Sequence, residues 1–122
     1  MKPADQIASF VDGEFAREVA FLAELVRLPS DNPPGDCAPH AARARELLEA
    51  LGLAAEAHPV PGELVQAAGM VSATNLIVRH RFGPGPVVAL NAHGDVVPPG
   101  LGWRHDPYGA EIESSSEGPA MY

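Results

Sequence analysis

His93 and Asp95 stand two positions apart with Gly94 between them, and these types at this spacing suit metal chemistry. An imidazole can bind a zinc ion through one ring nitrogen while a carboxylate accepts a hydrogen bond from the other. That second contact fixes the tautomer and raises the basicity of the ligand. Gly94 permits a sharp bend or a close backbone approach between the two polar side chains. The residues before them, Val87-Val88-Ala89-Leu90-Asn91-Ala92, form an apolar run rich in β-branched side chains. Such a run predicts a buried strand over 87–92, with His93 and Asp95 leaving the same side at its C-terminal end. Strand C-termini are where open α/β sheets place ligand sites. Taken alone, His-x-Asp also arises by chance, as a loop-edge imidazole hydrogen-bonded to a nearby carboxylate.

Other chemistry-bearing residues read more plainly. Ser30 and Asn32 lie in Ser30-Asp31-Asn32-Pro33-Pro34-Gly35, whose composition is that of a tight turn; they are candidates to line a site, and composition favours plain turn chemistry for both. Cys37 falls in the first turn of a predicted helix, where a thiolate is favoured. It has no adjacent base and reads as a small structural residue. His40, His58, His80 and His105 are isolated, and isolated histidines are more often solvated or hydrogen-bonded than metallated. Trp103, in the loop after Pro98, is a candidate to wall the site or to pack over the loop, and packing is the favoured reading.

These residues need elements to position them. Ile7, Val11, Phe15, Val19, Leu22 and Val26 recur at intervals of three or four, predicting a helix over 4–28 with Gly13 as a candidate break and Pro29 as its end. A second helix is predicted over 37–51, with Asp36 as N-cap and Gly52 just past its end. A strand at 53–60 follows, then a connection with room for one helical turn around Glu63-Leu64-Val65-Gln66. A strand at 74–82 is expected to pair with 87–92 as an antiparallel hairpin across Gly83-Pro84-Gly85-Pro86. Residues 111–122 show no hydrophobic period and read as a polar loop. Alternating helices and strands point to α/β architecture.

The chain has 122 residues, enough for one domain with a modest core, and a hydrophobic fraction of 46%. Sixteen acidic residues against eight basic ones give a formal net charge of −8. That balance, with scattered Lys and Arg, argues against nucleic acid as a partner. The acidic field disfavours anionic substrates unless metal ions reverse the local sign. One cysteine excludes an internal disulfide and fits a reducing compartment. The N-terminus has no signal-peptide character and no apolar run approaches a membrane span, so a cytoplasmic location without membrane partners is expected.

Asn91-Ala92-His93-Gly94-Asp95-Val96-Val97-Pro98, followed by Trp103 and Asp106-Pro107-Tyr108, resembles the first metal motif of a zinc-dependent amidohydrolase family. This is the family of acetylornithine deacetylase, succinyl-diaminopimelate desuccinylase, carboxypeptidase G and the aminoacylases. Its pattern is H-x-D-x-V-P, then a Trp, then D-P-F or a close variant. Leu28-Pro29-Ser30-Asp31-Asn32-Pro33-Pro34-Gly35 resembles the segment after the family's first helix.

The resemblance implies a metal-dependent hydrolase that cleaves an amide bond of an N-acyl amino acid or small peptide. It implies His93 as a metal ligand and Asp95 as a catalytic carboxylate. The cofactor implied is a pair of zinc ions, with cobalt or manganese as substitutes. The implied fold is the N-terminal part of a mixed-sheet, helix-flanked metallopeptidase catalytic domain. Residues 1–122 would then be an incomplete domain lacking the second, lid or dimerisation, domain, and the full-length protein would be able to form a homodimer. In the family a Tyr near the position of Tyr122 leads into G-R-G, a metal-bridging Asp, a Glu-Glu pair and a distant His. None of these occurs here, so the chain alone is expected to be an inactive fragment. The contrasting expectation is a non-catalytic α/β binding or regulatory module derived from the same family.

Overall fold

The computed structural model describes residues 2–122. Seven elements occur in the order α1 (Pro3–Val26), α2 (Ala38–Ala50), β1 (Ala55–Pro59), α3 (Gly62–Ala67), β2 (Thr74–Val78), β3 (Ile112–Ser115) and β4 (Gly118–Met121). Helices with small antiparallel sheets are consistent with α/β. The chain divides into two compact units, one holding α1 with His105–Tyr122 and the other Leu28–Arg104.

In the first unit, α1 begins with Pro3, whose fixed φ and missing N–H suit a first helical position. The Lys2 backbone N–H donates to Asp5 Oδ2 at 3.2 Å, and the acid in the first turn complements the helix dipole. Gly13 does not divide this helix, which runs unbroken to Val26. Its predicted apolar stripe is largely uncovered, since Ile7, Val11, Phe15 and Leu22 are exposed and only Ala23 is buried. An apolar cleft takes in Phe15, Val19 and Ala23 together with Ala110, Ile112 and Pro119.

The residues read as a polar loop at the C-terminal side instead form a hairpin. β3 and β4 pair antiparallel with Ile112 opposite Met121 and Ser115 opposite Gly118. Reciprocal bonds between Glu111 and Tyr122, at 3.0 and 2.8 Å, extend the ladder. Ser115 Oγ donates to the Gly118 carbonyl and accepts from the Glu117 N–H. These serine contacts close the turn, which is why the strands form without a hydrophobic alternation.

The second unit contains the best-formed part of the fold. The helix predicted to start near Asp36 is α2, whose first turn is satisfied at a distance. The Ala38 N–H donates to Ser72 Oγ at 2.9 Å, and that hydroxyl donates to Asp36 Oδ1. Asp36 therefore supports the helix start through Ser72 and is not itself the cap. At the other end Gly52 has φ +81°, Gly52 N–H bonds to Glu49 O, and Leu53 N–H bonds to Leu48 O. That is the Schellman arrangement expected of a glycine just past a helix. β1 and β2 pair antiparallel, with Ala55 opposite Val78 and Ala57 opposite Leu76, and α2 packs on both strands. Ala41 and Ala55 are buried in this layer, with Leu76 and Val78 half-buried.

Residues 87–92 do not form the predicted strand. They belong to no ladder, and the expected hairpin with 74–82 is absent among the described residues, where β2 pairs with β1. Val87, Val88 and Leu90 are 95%, 79% and 95% exposed. The run has the composition for burial on both faces, but composition states only which surroundings a segment suits. A strand of this kind needs ladder neighbours and covering side chains, and the described residues supply neither.

Candidate functional site

The His93–Asp95 segment is held from one side by the turn that follows α1. Ser30 O accepts from the Val96 N–H at 3.1 Å, and the Asn32 N–H donates to Val96 O at 2.7 Å. The two bonds form a short parallel bridge between Asp31 and Val96. Ser30 is 4% exposed, and its hydroxyl donates to the Gly94 carbonyl at 2.7 Å. The turn that composition favoured as plain turn chemistry thus docks the motif by these three bonds and by a fourth from the Asn32 amide to Asp95.

Within the motif, His93 Nδ1 lies 3.1 Å from Asp95 Oδ1 and 2.9 Å from the Asp95 backbone oxygen. Both partners are acceptors, so Nδ1 carries the proton in the neutral ring and Nε2 is left with its lone pair. No hydrogen bond reaches Nε2 among the described residues, and the His93 side chain is 84% exposed. Asp95 Oδ2 accepts a hydrogen bond from Asn32 Nδ2 at 3.2 Å. The Asn32 amide foremost holds the Asp95 carboxyl below the usual range; burial opposes it, and the hydrogen bond and charge of His93 add to the lowering. Asp95 therefore stays ionised and acceptor-only.

Gly94 has a physical reason beyond flexibility. A Cβ placed there would sit 3.0 Å from Cε1 and Nδ1 of His40, tighter than ordinary van der Waals contact. His40 comes from α2, is half-buried beneath the motif, and burial lowers its pKa, favouring the neutral ring. Cys37 Sγ donates weakly to Ser30 O at 3.8 Å. Burial first, and then the Asp95 and Asp36 carboxylates, push its thiol up. These effects outweigh the thiolate preference of a helix start.

The remaining histidines have other neighbours. His58 pairs with Glu56, and His80 makes an edge contact with Phe82. His105 stands between two carboxylates, Nδ1 at 2.9 Å from Glu111 and Nε2 at 3.2 Å from Glu113, and stacks on Tyr122. Trp103 is half-exposed and donates its indole N–H to the Pro99 carbonyl, so it anchors its own loop.

A catalytic zinc ion takes about three protein ligands plus an open position. Among the described residues, no group of three or more His, Cys, Asp or Glu side chains is placed to hold a metal ion. His93 with Asp95 behind it has the form of one oriented ligand, and by itself does not make a metal site. Ser30 and Asn32, for which composition favoured turn chemistry over lining a site, are both brought to the motif. Their signal was indirect: two side chains able to donate, in a turn rigid enough to aim them.

No helix among the described residues is long and apolar enough to cross a membrane. No family model matches the chain, and no solved structure matches it. It is similar to curated succinyl-diaminopimelate desuccinylases over part of its length. The protein of that name from Acidiphilium cryptum is 52% identical over 40 residues, 33% of this chain and 10% of the relative. That from Wolinella succinogenes is 51% identical over 39 residues, 32% of this chain and 11% of the relative. A longer match, to the Methylobacterium nodulans protein, is 37% identical over 97 residues, 78% of this chain. Even this match spans only 22% of the relative's own length. These partial matches support a place in the peptidase family that includes the succinyl-diaminopimelate desuccinylases.

Proposed function

We propose that these residues form the N-terminal part of the catalytic domain of a metal-dependent amidohydrolase. In this reading His93 contributes a metal ligand through Nε2 and Asp95 is the carboxylate that orients it. The carrying observation is the His93 Nδ1–Asp95 contact, which leaves the exposed Nε2 as the ring's remaining donor atom toward a metal. Similarity to desuccinylases supports amide hydrolysis of an acyl amino acid as the reaction class. The further ligands and the general base would come from the part of the relatives' length that lies outside the matched segments.

When bound, a metal pair in such a centre supplies carbonyl polarisation and a water of lowered pKa. The residues of this chain do the positioning: Ser30 fixes the Gly94 carbonyl, and Asp95 keeps the His93 proton on Nδ1. Zinc is the metal proposed, with cobalt or manganese as substitutes. N-acyl amino acids or small peptides are the proposed substrates, and a homodimer in the cytoplasm the proposed setting of the complete protein.

The test is hydrolysis of N-succinyl-diaminopimelate and simpler N-acyl amino acids by the product of the natural reading frame containing these residues. Hydrolysis that stops with a chelator and returns with zinc or cobalt is the expected result. A folded product that turns over no N-acyl substrate with any of these metals would overturn the reading and leave the binding-module alternative.

A further inference from the structure

We propose that Asn32 is a positioning residue for His93, acting through Asp95. The Asp95 carboxylate uses both oxygens, Oδ1 against His93 Nδ1 and Oδ2 as acceptor from the Asn32 amide. The terminal torsion of an aspartate is broad and roughly two-fold, so a carboxylate held on one oxygen swings easily. A donor on the second oxygen removes that freedom. Asn32 is itself well fixed. Its backbone N–H bonds to Val96 O at 2.7 Å, and its Oδ1 sits where a Cβ on Gly35 would come within 3.0 Å. Gly35 is buried, with φ +75°, and so leaves room for the Asn32 side chain where an L side chain would be strained. The amide therefore points at Asp95 from a rigid turn, and the aspartate passes that orientation to the imidazole. Such an outer partner of an orienting carboxylate is the kind of contact that sets the tautomer of a ligand histidine.

The importance of this arrangement for chemistry rests on the proposed role of His93, but its test does not. Two-bond nitrogen–proton correlation spectra of the ¹⁵N-labelled 122-residue chain read the His93 tautomer directly. They are recorded at about pH 8, where an ordinary imidazole is neutral. The Nδ1–H form should predominate in the unmodified chain. In Asn32→Ala the ratio of Nδ1–H to Nε2–H should fall at least about threefold, the scale of one lost hydrogen bond. Asn32→Leu keeps the approximate size and removes the donor, and should lose the bias as well. Arg79→Gln, whose side-chain partner is Glu56 on β1, should keep it. The proposal is overturned if Nε2–H predominates in the unmodified chain, if Asn32→Leu retains the bias, or if Arg79→Gln loses it equally. A retained tautomer result without amide hydrolysis in the full reading-frame product would sink the hydrolase reading alone.

Discussion

Ser30 Oγ donates to the Gly94 carbonyl oxygen at 2.7 Å, joining residues sixty-four positions apart. This buried hydroxyl ties the turn after the first helix to the middle of the His93–Asp95 motif. Ser30→Ala leaves the Gly94 carbonyl without its donor and should lower stability by about 1–2 kcal/mol. The urea midpoint checks the loss, and amide exchange at residues 93–96 should quicken more than exchange in α2.

His40 beneath Gly94 yields a second expectation. Gly94→Ala forces a Cβ into the 3.0 Å contact with the imidazole and should cost about 1–3 kcal/mol through overpacking. His40→Ala in the same chain should recover part of that cost, giving a coupling in a double-mutant cycle. Purely additive effects would show that the contact is not what makes Gly94 necessary.

The β1–β2 pair should be sensitive to acid. Hydrogen bonds from Arg79, chiefly, and from His58 hold Glu56 below the usual carboxylate range. A carboxylate whose folded pKa is depressed contributes stability that is complete above its unfolded value, about 4.3, and is lost as pH falls through the folded value. Stability should therefore decline on the acid side of about pH 4. Arg79→Gln should flatten that decline while leaving the neutral-to-alkaline profile unchanged in shape, as read by thermal melts across the range.

Cys37 should be a slow nucleophile. Burial first, then the Asp95 and Asp36 carboxylates, raise its pKa, so little thiolate is present near neutrality. Alkylation by iodoacetamide at neutral pH should run at least ~3-fold slower than for an unstructured cysteine, and urea should abolish the difference. A rate equal to or above the free value would mean that the helix N-terminus outweighs burial and the two acids.

Much of the second unit is legible in local sequence because its signals are local. Pro29 forbids further helix, Gly52 supplies the left-handed residue after α2, and Glu63-Leu64-Val65-Gln66 carries its own helical turn. Leu76 and Val78 alternate correctly against Asn75 and Ile77, and with Thr74 they are the half-buried members of β2. The failures share a different cause. Val87 to Ala92 carries strand composition whose partners are not among the described residues, so propensity alone misplaced it. The β3–β4 hairpin depends on Ser115 hydroxyl contacts and backbone pairing, which leave no hydrophobic period to read. Asn32 and Asp95 are sixty-three positions apart, and only the fold shows that the turn amide faces the motif carboxylate.

The most direct measurement is the metal content and amide hydrolysis of the natural reading-frame product beside its His93→Ala variant. The parent should bind zinc or cobalt and hydrolyse N-acyl amino acids. His93→Ala should lose bound metal and at least about a hundredfold in kcat/KM, roughly 2.7 kcal/mol of transition-state stabilisation. A folded variant with unchanged metal content and unchanged hydrolysis would contradict the assignment of His93 as a ligand.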